Sequence, residues 1–411
     1  MNEHRDRLAR RLLLAALFLL PWQTRLIFAT PSVGHTVWQY GVVSVYGTEI
    51  LVLIAVSLLG WDRVTKGVAA WAWLVAAVIL SVACARIPWL GALFAAHAAA
   101  AILLVQAARV GSVSVSDAAL AFTAGLVPAT ALGWWQTVTG GNGAFSWLGL
   151  AARDASQAGV AVVETAAGRL MRAYGPLPHP NVFGGFAAVG LLAAVRAAFG
   201  TGGRRRLAAC ALSAVAGSAL ALSFSRAAAI GALMAAGWLV WRLRAKAAPA
   251  LAAAGIGVIL TVLPFASSFL ARADAGNRLE RASVNERVSQ LKEWATVFLE
   301  NPVTGVGPGG YTGVLVMRNP SAPAFLSQPV HNVLLLFLAE LGFLGFFALI
   351  AVGGPKAWEA WQNTGAEGKT WMFAFVLCLL PAAFLDHYLW SLWPGMALVA
   401  SGVIFGRKGD S

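Results

Sequence analysis

The chain has 411 residues, of which 59% are hydrophobic and 11% charged, with a formal net charge of +13. Soluble domains carry about 25% charged residues, so an ordinary soluble enzyme is excluded. The long apolar runs equally exclude the short alternating segments of a membrane β-barrel.

Taken in order, the apolar runs predict about twelve transmembrane helices in one all-α polytopic membrane protein. The first, 12–30, follows a basic terminus containing Arg5, Arg7, Arg10 and Arg11. No small-residue cleavage site follows it, so it reads as a retained helix with its basic end in the cytoplasm. Spans at 40–60, 67–85, 90–108 and 117–137 come next, the last with Pro128 as a kink point. A first long loop covers 138–180. Spans at 181–200, 207–224, 227–244 and 249–270 lead to a larger loop, 271–330. The chain finishes with spans at 331–352, 370–389 and 392–406, giving a single integral-membrane domain over 1–411 with both termini cytoplasmic. Cys84, Cys210 and Cys378 fall inside apolar runs without CxxC spacing and read as small buried hydrophobes.

Much of the positive charge follows the positive-inside rule. Arg63 with Lys66, Arg109, Arg204 to Arg206, Arg242 with Arg244 and Lys246, Lys356, and Arg407 with Lys408 occupy alternate gaps. No nucleic-acid partner is needed to account for them. The remaining arginines lie on the opposite, outer side, where both long loops fall. The first loop carries Arg153, Asp154, Glu164, Arg169 and Arg172 and leaves through a Pro-rich exit ending at His179-Pro180-Asn181. Asn181 reads as the N-cap of the sixth span. In the second, Asn277 to Glu300 predicts an amphipathic helix with Val284, Val288, Leu291 and Val297 on one face. It breaks at Asn301-Pro302 and enters a glycine-rich stretch, Gly305 to Gly310. Ordered loops of this length are usually functional.

Several residues carry candidate chemistry. Arg226 follows Ser225 between two apolar runs and is either a snorkelling helix-end arginine or a fork for a phosphate. Arg287 is either part of a solvated salt-bridged face or a second guanidinium for a diphosphate. Gly307 and Gly309, followed by Tyr311, belong to a structural turn or to a backbone nest touching substrate. His331-Asn332 opens the tenth span, as a cap or as a general base that takes a proton from a sugar hydroxyl. Glu340 reads as a polar helix contact, and Asp386-His387 is a second carboxylate–imidazole pair. The six histidines are scattered without metal-ligand spacing, so neither a metal nor a soluble cofactor is expected.

In order, Pro178-His-Pro-Asn181, Ser225-Arg226, Arg287 through Asn301-Pro-Val-Thr-Gly-Val-Gly-Pro-Gly309, and His331-Asn332 to Glu340-Leu-Gly342 resemble the O-antigen ligase and O-antigen polymerase superfamily. The resemblance implies a GT-C-type enzyme of the bacterial inner membrane whose active site faces the periplasm. It implies transfer of a glycan from undecaprenyl diphosphate, with the diphosphate held by Arg226 and Arg287 and the acceptor hydroxyl assisted by His331. Arg172, His179, Asn181, Gly307, Gly309, Tyr311, Asn332 and Asp386 are the further expected substrate contacts. One dominant outer loop before His331 favours the ligase branch, with lipid A-core as acceptor and inversion at the anomeric carbon. An O-antigen or exopolysaccharide polymerase is the alternative within the superfamily. A transporter of lipid-linked sugars is the alternative outside it, although no internal repeat is visible.

Overall fold

The first helix of the chain, Asn2–Leu19, already contains the basic residues expected to precede it. It stops before Pro21, which has no N–H to donate and disfavours helix at the residue before it. Residues Arg25–Ala29, expected to be helical, instead form a strand antiparallel to Val43–Tyr46. The structure, a computed structural model, describes residues 2–67, 72–166, 168–273 and 278–408. The beginning of the predicted third span and the predicted helix start at Asn277 lie outside the described residues.

Beyond the N-terminus, helices occupy the predicted spans with shifts of a few residues. Among the described residues, seven are long and apolar enough to cross a membrane: Pro88–Val110, Val115–Thr139, Pro180–Gly200, Gly203–Leu222, Ala248–Arg272, Val333–Asn363 and Ala366–Leu385. Gly47–Leu59, Ala72–Ala83 and Trp393–Phe405 are apolar but shorter. The protein is thus a mostly helical multi-pass membrane protein. Its described residues depart from the all-α expectation by four two-stranded pairs, two of them within the loop before Pro180. The cysteine expectation also needs correction, since Cys378 is buried, Cys210 half-buried and Cys84 exposed.

Pro180–Gly200 is the axis of the bundle, with 94% of its apolar window buried. Its one charged side chain, Arg196, is bonded to Glu367 at 2.9 Å and lies over the Trp371 ring at 5.1 Å. Gly203–Leu222 and Ala248–Val262 approach until a Cβ on Gly257 would meet the Ala214 carbonyl oxygen, the small-residue packing that lipid-embedded helices use. The other face of Ala248–Val262 leaves Ile256, Ile259 and Leu260 exposed, as a lipid-facing stripe requires.

The two ends of the bundle differ in kind. One end collects ion pairs between inter-helix gaps: Arg63 with Asp6 at 3.1 Å, Arg205 with Asp117, and Arg196 with Glu367. The other end gathers every long connection. Thr24 donates to the Trp147 carbonyl at 3.1 Å, Arg278 pairs with Glu164 at 2.8 Å, and Tyr40 donates to Gln328 at 2.9 Å. The N-terminal hairpin and both loops therefore converge on one region.

Candidate functional site

Arg226 sits at the first turn of the helix Arg226–Leu243, and Ser225 caps that helix by accepting from the Ala228 amide. The turn before it, through Phe224 at φ +48°, is clamped from the first loop: Arg172 Nε donates to the Ser223 carbonyl at 2.9 Å. A second arm of Arg172 donates to Asn181 Oδ1 at 2.7 Å, and Asn181 Nδ2 donates to Asp386 Oδ2 at 2.7 Å. Asp386 Oδ1 then accepts from the His387 amide at 2.8 Å. One chain of bonds thus runs from the Arg226 turn to the end of Ala366–Leu385. Arg172 lies within electrostatic reach of Arg272 and Arg226, and Arg272 in turn of Arg226 and Arg287. Burial, reinforced by the guanidinium of Arg272, pushes Arg172 down to about 9.

Asn181 is not the cap that the sequence suggested. Pro180 occupies the first helical position, so the cap moves back to His179, whose Nδ1 accepts from the Asn181 amide at 3.1 Å. This frees the Asn181 side chain to bridge Arg172 and Asp386. Burial works against the charge on Asp386, but the imidazoles of His387, His331 and His179 and the Asn181 amide outweigh it and hold the carboxyl below its ordinary value. Burial pushes His387 down to about 4, against the pull of Asp386.

His331 precedes the helix Val333–Ala348, and its Nδ1 lies 2.7 Å from Gln290 Oε1. An amide oxygen only accepts, so Nδ1 carries a proton, and in the neutral ring it is Nε2 that holds the lone pair. The Gln290 amide nitrogen is turned toward Glu286 at 3.4 Å, which supports that orientation. Gln290 is carried by Arg278–Glu300, a helix tied to Val333–Ala348 by Trp294 Nε1 donating to the Leu335 carbonyl at 2.6 Å. The predicted apolar face of this helix is only partly used: Val297 is buried, but Val284, Val288 and Leu291 are exposed. Asn332 caps Val333–Ala348 by accepting from Leu335 at 3.0 Å, and its amide donates to the Phe384 carbonyl. Both its groups therefore serve the scaffold. The His387 ring packs against His331 at 5.1 Å and against Tyr40 at 5.9 Å.

The glycine-rich stretch does not behave as an open anion nest. Gly342, at φ +61°, breaks the helical bonding of Val333–Ala348 and releases backbone groups on both sides. The loop uses them: Val306 and Gly307 donate to the carbonyls of Ala339 and Glu340, and Phe343 and Leu344 donate to those of Pro302 and Val303. A Cβ on Gly305 would lie 2.3 Å from the Glu340 backbone, so only glycine permits this approach. The Glu340 carboxylate accepts from the amides of Gly309 at 2.9 Å and Tyr311 at 3.4 Å, and from Trp390 Nε1 at 2.7 Å. The N–H groups of Gly307, Gly309 and Tyr311 are thus turned to the protein, so a substrate contact of this stretch would not use them. Glu340 is the polar helix contact that was expected. Replacing Glu340 by Ala strands three buried or half-buried donors at about 1–3 kcal/mol each. Thermal unfolding in detergent should register a loss of about 3 kcal/mol or more, and a loss below about 1 kcal/mol would remove this role.

A cavity of about 70 Å³ is lined by Arg25, Tyr40, His97, Ser391 and Trp393 among others, and Tyr40 and Ser391 connect it to His387. His97 Nδ1 lies 2.5 Å from Glu49 Oε1, and Arg25 reaches the Tyr46 hydroxyl at 3.3 Å. The sequence reading assigned nothing to these N-terminal residues. It also missed Arg272 and Gln290. Arg272 breaks the charge bias at the end of the ninth span, and Gln290 follows Arg287 by three residues and so shares its helix face.

Residues 208–350 match the family model described as O-antigen ligase. The segment is similar to that family over less than half of the chain. It contains Arg226, Arg272, Arg287, Gln290 and His331, whereas it leaves out Arg172, Asn181 and Asp386, which complete the bond network from outside it. No curated protein matches the chain.

Proposed function

We propose that the protein is a glycosyltransferase of the O-antigen ligase branch. It moves a glycan from undecaprenyl diphosphate to a sugar hydroxyl of lipid A-core, at the outer face of the bacterial inner membrane. The observation that carries the reading is the pairing, at one end of the bundle, of an arginine group (Arg172, Arg226, Arg272, Arg287) with an imidazole whose Nε2 is left as a base. Guanidinia held near one another repel, and a diphosphate relieves that repulsion while accepting forked hydrogen bonds. Arg226 and Arg287 are the proposed direct contacts, and His179 and Asp386 border the path to the acceptor.

In the proposed step the acceptor oxygen attacks the anomeric carbon as the bond to the diphosphate oxygen breaks. The new glycosidic bond forms with inversion, the hydroxyl proton passes to His331 Nε2, and undecaprenyl diphosphate leaves with the bonding pair. The arginines stabilise charge that grows on the leaving oxygen, an effect worth about 3–4 kcal/mol for one well-aimed donor. These residues supply the reaction without a cofactor. The basic gaps at the opposite end support a cytoplasmic assignment for that end.

The deciding experiment incubates purified protein in detergent with undecaprenyl-diphosphate glycan and lipid A-core, then identifies the product by mass. Glycosylated lipid A-core is expected. A lengthened donor instead would mean a polymerase. No consumption of donor would favour a transporter. Sidedness has its own test. In a background lacking native cysteines, Val160→Cys and Pro320→Cys should react with an impermeant label from outside, and Gly202→Cys and Ala360→Cys should not. The reverse pattern would end the periplasmic assignment.

A further inference from the structure

We infer that His331, His387 and Asp386 form a binding site for a divalent transition cation, and that its occupancy silences the chemistry at His331. The sequence shows no metal-ligand spacing, because Asp386 and His387 stand more than fifty positions beyond His331. The fold nonetheless brings one ligand atom from each residue within 4.8 Å of the others. Asp386 and His387 are buried, which removes the competition with water that makes exposed clusters poor sites.

The bonds around these three residues are those a metal site requires. A metal-bound imidazole gives its other ring nitrogen to an oxygen, which fixes the tautomer and the ring plane. His331 Nδ1 lies 2.7 Å from Gln290 Oε1, and His387 Nδ1 lies 2.7 Å from Ser391 Oγ. With Nδ1 so engaged, Nε2 is the ring nitrogen that each imidazole has left for a cation. Asp386 is oriented by the Asn181 amide and by the His387 backbone amide, one on each oxygen, with lone pairs left on both. Two imidazoles and one carboxylate suit zinc or cobalt, whereas magnesium and calcium prefer oxygen ligands. Three protein ligands leave a coordination position open. Arg172, joined to Asp386 through Asn181, opposes the incoming charge, so reversible binding is expected rather than a permanent structural ion.

A cation on His331 Nε2 takes the lone pair that the proposed proton transfer uses. This second half of the inference rests on the glycosyl-transfer reading, while the binding site itself does not. The test is a titration of the purified full-length protein in detergent with Co2+, followed by its visible absorption. One equivalent of bound Co2+ is expected, and His387→Ala and Asp386→Asn should each weaken binding at least about 10-fold. Exchanging the exposed His4 and His35 for Ala should leave it unchanged. His331→Ala is a third arm, should Asp386→Asn fail to fold. Zn2+ should inhibit transfer, reversibly on chelation. Binding that survives all three ligand variants, or no binding by the native protein, overturns the site. Activation by Zn2+ overturns the silencing. Ligand-dependent Co2+ binding by a protein that transfers no glycan would uphold the site and sink the proposed function instead.

Discussion

Arg226→Lys should lower the rate of glycan transfer by about 100-fold or more while the protein remains folded. Lysine keeps the charge but replaces a planar fork by a point charge, so it cannot grip two oxygens of a diphosphate at once. Arg226 is exposed at the first turn of its helix, so its exchange removes little packing. Arg287→Ala should weaken use of the donor to a comparable extent. Initial rates with a lipid-linked donor, together with donor affinity measured separately, check both. Near-native turnover by folded Arg226→Lys would reduce this arginine to a helix-end residue.

His331→Ala is expected to lose about 100- to 10,000-fold in turnover, the range that a positioned base supplies, with donor binding largely retained. His331→Gln preserves size and hydrogen bonding but offers no useful base, so it should fail nearly as badly. Gln290 separates proton transfer from positioning. Gln290→Ala frees the imidazole to adopt either tautomer and should cost about 10-fold or more, by analogy with the outer partners of other oriented histidines. Gln290→Glu restores an acceptor 2.7 Å from Nδ1 and should recover most of that loss. If His331→Gln turned over at native rates, His331 would only orient the acceptor, and Asp386 would be the next candidate base.

The sequence makes the arginines and His331 legible because each breaks a rule of its surroundings: a charge beside apolar runs, or on the side that disfavours it. What joins them was hidden. Asn181 meets Asp386 across 205 positions, and no local pattern records such a contact. Helix periodicity located the loop helix but assigned Val284, Val288 and Leu291 to a buried face that only Val297 keeps. Glycine density is ambiguous by nature, since the same residues serve anion binding and close backbone crossing, and here crossing won. The misplaced first helix has a local cause in Pro21, after which strand pairing with Val43–Tyr46 displaces apolarity as the deciding influence.

The break at Gly342 bears on how such proteins could be recombined. Its released amides and carbonyls join residues 302–307 to 339–344 by backbone bonds alone, and Glu340 adds its side chain to the junction. The glycine-rich part of the loop is thus seated on that kink. A chimaera built to borrow another protein's loop must therefore take the insert from the start of Arg278–Glu300 through Leu344 as one cassette. A graft that stopped at His331 would mate a foreign loop to a kink cut for this one.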